Sequence, residues 1–196
     1  MNKKLATILA GGAVLVLALG GCDDGDEGED KAARWAKTYC GALRTQNATI
    51  DDANEALARI SEGDKSPEEI KKTDVKAFRD LSAAFDNLSR ALKKAGVPPV
   101  ENGARLRKNA TGALDRLSAS YAGLQQQAEK LNTGDQAEFA DGLQDITDDM
   151  KEVPGQFEAV EKALGDLRQG ELQAAMAGEP GCRKVGSSPS ASASAA

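Results

Sequence analysis

The chain has 196 residues, enough for one domain of ordinary size. It carries 25 basic against 31 acidic residues, a formal net charge of −6, and aromatics make up 4% of it. It has no histidine. That excludes Ser-His-Asp and Cys-His catalysis and the Glu-x-x-His di-iron bundles, while an acid excess with no basic stripe argues against nucleic acid as a partner.

Residues 1–21 fall into three zones. Lys3 and Lys4 open the chain, residues 5–19 form an uncharged apolar run, and Leu19-Gly20-Gly21-Cys22 closes it. Secretory signals have this order, and the run is shorter than the roughly 20 residues a spanning helix needs. Small residues before the cut let a peptidase grip an extended backbone, and the cysteine behind them offers a thiol to a diacylglycerol. The ending resembles the bacterial lipobox, with glycine where alanine or serine is more usual. The expected cut lies between Gly21 and Cys22, and Cys22 is the expected lipidation site. A diacylglycerol supplies the two acyl chains that firm anchoring requires. Cleavage removes two lysines, leaving 23 basic against 31 acidic residues, a net −8, so the lipid rather than surface charge is expected to hold the bilayer.

Residues 22–30 read as a flexible, self-repelling acidic tether. An EF-hand loop would want a third Asp or Asn and then Gly where Gly28 and Glu29 stand, so no calcium is expected there. Beyond the tether, four segments share one apolar rhythm with steps of three and four. The first runs from Ala36 through Tyr39, Leu43, Gln46, Ile50, Ala53 and Leu57 to Ile60, and Gln46 is its one polar member. The second links Phe78, Leu81, Phe85, Leu88, Leu92 and Ala95. The third links Leu106, Ala110, Leu114, Leu117, Tyr121, Leu124, Ala128 and Leu131. The fourth runs from Phe139 through Leu143, Ile146, Met150, Val153, Phe157, Val160 and Leu164 to Leu167. Such heptad seams belong to helices that cross at shallow angles.

Punctuation separates the seams. Ser66-Pro67-Glu68-Glu69 combines a cap, a proline at the first helical position and acids in the first turn. Gly96 with Pro98-Pro99 stops the second segment, and Asn132-Thr133-Gly134-Asp135 divides the third from the fourth. Short links imply antiparallel neighbours. Pro154 falls inside the fourth seam, where it removes a helical hydrogen bond. The seam keeps phase across it, which predicts one kinked helix rather than two. Residues 171–177 predict one more short helix. Residues 77–85 also match residues 113–121, as an internal duplication or as a by-product of alanine-rich heptads.

In an oxidising compartment, Cys40 and Cys182 are expected to form a disulfide, worth roughly 5 kcal/mol in the chain-entropy model for so long a loop. An antiparallel bundle brings these two positions to the same end, the end from which the tether leaves. The rod is expected to be roughly 45 Å long. Trp35, the single tryptophan, is expected to lie as a lid over this end; a partner anchor is the sharper alternative. Asp141, Asp145, Asp148, Asp149 and Glu152 put acids on one side of the fourth segment, and Lys71, Lys72, Lys76 and Arg79 are interleaved with Asp74 and Asp80. Both read as solvated faces. No carboxylate is expected within a seam. The glycosylation sequons at Asn47, Asn87 and Asn109 fall inside helical patterns and are discounted, whereas the serines of the tail, residues 185–196, are open to O-glycosylation in what reads as a disordered segment.

The lipobox, the acidic tether, the Tyr39-Cys40 pair early in the first segment and the late Pro180-Gly181-Cys182 together resemble a group of small secreted lipoproteins of actinobacteria such as Streptomyces. The resemblance spans most of the chain on loose motifs. It implies a lipidated, helical, envelope-facing protein and no particular activity.

The sequence therefore predicts an all-α protein: an elongated antiparallel up-down four-helix bundle with heptad packing plus a short C-terminal helix. Its expected parts are a lipoprotein signal (1–21), a tether (22–30), a bundle domain (31–184) and a tail (185–196). The expected role is a non-enzymatic interaction or structural module at the extracytoplasmic face of the cell membrane, anchored through diacylglycerol on Cys22 and facing an envelope protein partner. No catalytic residue, metal or cofactor is assigned. The alternative is a small-ligand or cation-binding lipoprotein.

Overall fold

The structure, a computed structural model, describes residues 24–60 and 63–183. The expected cleavage and lipidation positions, Gly21 and Cys22, and the tail lie outside the described residues. The protein is all-α, with no strand among the described residues. Helix α1 spans Asp24–Ile60, α2 Pro67–Ala95 and α3 Gly103–Lys130. They are followed by α4 (Gln136–Met150), α5 (Val153–Gly165), α6 (Gly170–Gly178) and α7 (Pro180–Arg183). At 1.5 Å per residue, the 37 residues of α1 reach about 55 Å.

The helix ends follow the sequence signals. Ser66 caps α2 in a full capping box: its hydroxyl accepts from the Glu69 amide (3.3 Å), and its own amide donates to the Glu69 carboxylate (3.0 Å). This satisfies two amides that the first turn leaves unpaired. The bond from the Ser66 amide, and after it one from the Ser66 hydroxyl (3.2 Å), hold the Glu69 carboxyl below its usual range. Gly96 ends α2 at φ +86°, a conformation that costs glycine little. Asp135 caps α4 by accepting from the amides of Ala137 and Glu138 (2.9 and 3.0 Å).

Three expectations need correction. The acidic tether is not all irregular, because α1 already includes Asp24 and continues through Asp30. Acids are favoured in the first turns of a helix, where the amide dipoles point positive. The fourth seam is not carried by one kinked helix but by α4 and α5. Pro154 has no amide proton to give the Met150 carbonyl, so the ladder stops there. Lys151 and Glu152 bridge the gap with three-residue bonds to Asp148 and Asp149 while staying in the right-handed helical region. That backbone preserves the phase of the seam. The C-terminal segment is two pieces, α6 and the single turn α7, rather than one.

Packing follows chain order. Helix α2 lies between α1 and α3, α4 and α5 pack on α3, and α6 and α7 return to pack on α1. Cross-helix bonds set the antiparallel register. Trp35 reaches Gly96 and Asn87 reaches Gln46 between α1 and α2, and Lys71 reaches the Leu131 carbonyl between α2 and α3. The seams of α2 and α3 are buried along their length except at half-buried Ala95. Their matched segments also meet: the Ser118 hydroxyl donates to the Ser82 carbonyl (2.9 Å) and lies 3.3 Å from the Ser82 hydroxyl. A local two-fold relation between the pair thus runs through the two equivalent serines, with Phe85 and Tyr121 stacked beside it (5.7 Å).

The other two seams are covered on one side. In α4 and α5, Phe139, Ile146, Val153 and Val160 are buried, whereas Leu143, Phe157 and Leu164 are half-buried and Met150 is exposed. In α1, Ala36, Tyr39, Leu43 and Ala53 are buried, whereas Ile50, Leu57 and Ile60 are half-buried. Among the described residues, the helices in extended close packing with α1 are α2, α6 and α7, not α4 or α5. The long flank of α1 facing away from α2 is therefore closed near the disulfide and less covered toward Ile60.

Candidate functional site

The residues that sequence reasoning singled out gather at one end. Cys40, on α1, is joined to Cys182, on α7, across a separation of 142 residues, and both are buried. Gly181 makes the approach possible, because a Cβ there would overlap the Cys40 carbonyl and sit 3.0 Å from Arg44 Cβ. Trp35 is buried one turn before, with its indole nitrogen donating to the Gly96 carbonyl (3.2 Å) and its ring 5.3 Å from that of Tyr39. It is a lid over this end, not an exposed anchor. Arg168 donates to the Cys182 carbonyl (3.5 Å), and Arg183 donates back to the carbonyls of Ala177 and Gly178. These bonds tie the turns around α6 and α7.

Tyr39 is fully buried, and its hydroxyl has no hydrogen-bond partner among the described residues. Burial drives its proton affinity up strongly, with the nearby Arg168 charge pulling weakly the other way. The phenol therefore stays neutral and has no base beside it to take its proton. Tyr121, packed between aromatic rings, is pushed up to about 12 by the same desolvation.

Asp141, Asp145, Asp148, Asp149 and Glu152 are all exposed. Asp148 accepts from Lys151 (2.6 Å) and Gln144 (3.1 Å), and the Lys151 bond holds its carboxyl below the usual range. Asp149 accepts from Gln127 on α3. Asp145, Asp148 and Asp149 line a shallow cleft of about 480 Å³ against the end of α3. Among the described residues, no three Asp, Glu or Cys side chains are grouped so as to hold a metal ion. The Lys71 cluster disperses: Lys71 turns to the Leu131 carbonyl (2.8 Å), and Lys76 pairs with Asp80 (2.6 Å).

One carboxylate was missed. Asp74 is buried on α2, and desolvation raises its pKa to about 6. The signal was in the spacing, since stepping back four from Phe78 extends the second seam to Asp74. The expectation of acid-free seams is therefore wrong at this position. Desolvation alone accounts for the shift, so nothing in it points to a proton-transfer pair.

Among the described residues, no helix is long and apolar enough to cross a membrane. No family model, no curated protein and no solved structure matches the chain.

Proposed function

We propose that this chain is a lipid-anchored extracytoplasmic protein that acts by holding a partner protein of the cell envelope rather than by catalysis. The observation that carries the reading is the continuity of α1. The helix begins at Asp24, beside the expected lipidation site at Cys22, and runs unbroken past Cys40, where the disulfide clamps it to the C-terminal turn. An anchor at Cys22 would lie two residues before a helix that continues into the clamped bundle. The same helix presents half-buried Ile50 and Leu57 farther along, and α4 and α5 present Leu143, Met150 and Phe157. Apolar side chains that the fold leaves partly wet mark a protein contact where they join into one patch.

The test is photo-crosslinking in the native envelope. A photoreactive residue at Leu57 or Met150 is expected to capture one defined protein that the same residue at Arg79, on the charged outer face of α2, does not. Equal capture at all three positions, or none, removes the reading.

A further inference from the structure

A net-negative chain still gathers cations in one place. The first half of α3 and the C-terminal half of α5 face each other across an open cleft of about 550 Å³. Small residues, Gly112, Ala159 and Ala163, line it on both helices, and Lys108, Arg116 and Lys162 line it together with Asn109. That volume lies within the ordinary range of small-ligand sites.

Two acids, Asp115 and Asp166, line the cleft as well, and both are already engaged. Asp115 pairs with Lys93 on α2 (3.2 Å), and Asp166 pairs with Lys162 (3.4 Å). Among the described residues, Lys108 and Arg116 have no such partner, which leaves two positive charges of this cleft uncompensated. Arg116 is also placed to use its charge. A Cβ on Gly112 would lie 3.7 Å from an Arg116 guanidinium nitrogen, so the guanidinium lies over the bare turn at Gly112 instead of reaching straight into solvent.

We propose that this cleft is an anion-binding site for a phosphate-bearing group. A guanidinium offers a planar fork of donors, and the lysines and the Asn109 amide add point donors from the same walls. A tetrahedral dianion uses more of these donors than a single carboxylate does. The group belongs either to a soluble phosphate compound or to a phospholipid headgroup. The proposal is independent of lipid anchoring at Cys22.

The experiment uses the purified full chain at low ionic strength, because salt screens exposed charges. Pyrophosphate is titrated while amide resonances are followed by NMR. Saturable shifts confined to residues 108–116 and 159–166 are expected, with about tenfold weaker binding in Lys108→Gln and Arg116→Gln. Lys72→Gln removes the same charge from the far end of α2 and is expected to bind as the parent does. In a parallel arm, vesicles of phosphatidylglycerol and of phosphatidylcholine are sedimented with the parent and with the Lys108→Gln/Arg116→Gln double variant. Retention that needs both the anionic lipid and the two cations assigns the site to a headgroup, and pyrophosphate binding without it assigns the site to a soluble ligand. Shifts spread over all the lysines, or equal affinities in all three single variants, overturn the proposal.

Discussion

Gly181 rests its bare α-carbon on the carbonyl oxygen of Cys40, and this contact lets α7 dock closely enough for the disulfide to close. A side chain there must push α7 off α1. Overpacking of this kind costs about 1–3 kcal/mol. Gly181→Ala is therefore expected to lower the melting temperature by about 2–4 °C for each kcal/mol lost in a domain of this size. Gly155 in α5 is the contrast, since a Cβ there meets nothing within 4 Å. Gly155→Ala is expected to stabilise by about 0.5–1 kcal/mol through lower chain entropy. Equal thermal effects at the two glycines, read by calorimetry, would show that the close approach at Gly181 is not a constraint.

The disulfide closes most of the bundle into one loop, so its removal should be felt globally. Replacing both Cys40 and Cys182 with alanine is expected to cost about 2–5 kcal/mol in urea denaturation. The loss should begin locally. Helices α6 and α7 return to α1 at the disulfide end, so their amides are expected to exchange hydrogen faster than those of α2 and α3 once the link is gone. Unchanged stability together with unchanged exchange in α6 would mean that packing alone holds this end.

The seams of α2 and α3 were legible because each is apolar at nearly every third or fourth position and is covered from several sides. Ser66 and Gly96 fixed the ends of α2 for local reasons, whereas α3 starts after Asn102 without a side-chain cap. The fourth seam was legible in phase but not in continuity. Val153 and Val160 keep register with Ile146 because Lys151 and Glu152 stay helical in dihedral angle, although the hydrogen-bond ladder breaks at Pro154. What periodicity does not encode is which side of a seam a neighbour will cover. Leu43 and Ile50 stand one heptad apart in the same seam, yet the first is buried and the second half-buried. The cleft between α3 and α5 was equally hidden, because Arg116 and Lys162 meet only after α3 and α5 pack.

Asp74 gives the protein a signed pH dependence. Its folded pKa, about 6, lies above the ordinary 3.8. The folded state therefore binds the proton more tightly than the unfolded chain does. Below the unfolded value both states are protonated and nothing is lost. As pH rises from about 4 to about 6, the unfolded chain ionises first, and stability falls across that window. Asp74→Asn removes the titration and is expected to stabilise the protein at pH 7 by about 1–2 kcal/mol, the scale of relieving a poorly solvated polar group. Denaturation of parent and variant at pH 4 and pH 7 is the check. A gap between them that does not widen with pH would show that the Asp74 carboxyl is not the group responsible.

Pro154 explains why α4 and α5 are separate, and the explanation can be tested by restoring the donor. In Pro154→Ala the new amide at 154 can reach the Met150 carbonyl, and the clash with the preceding turn is gone. The two helices are expected to merge into one, with slower hydrogen exchange at residues 151–154 and stability raised by about 1–3 kcal/mol. If exchange at Lys151 and Glu152 stays fast in the variant, packing on α3 rather than the proline imposes the break.

Anchoring makes the sharpest demand on the sequence. The thiol of Cys22 is the expected attachment point, and two acyl chains there suffice to hold a protein at a bilayer. Among the described residues, no helix is long and apolar enough to span in its place. Cys22→Ala is therefore expected to move the protein from the membrane fraction to the medium. The released protein should still show Cys40 joined to Cys182 by non-reducing mass spectrometry, since the disulfide depends on the fold and on export rather than on lipid. Membrane retention of this variant after a high-salt wash would place the anchor elsewhere, and a released form with two free thiols would mean that the chain does not reach an oxidising compartment.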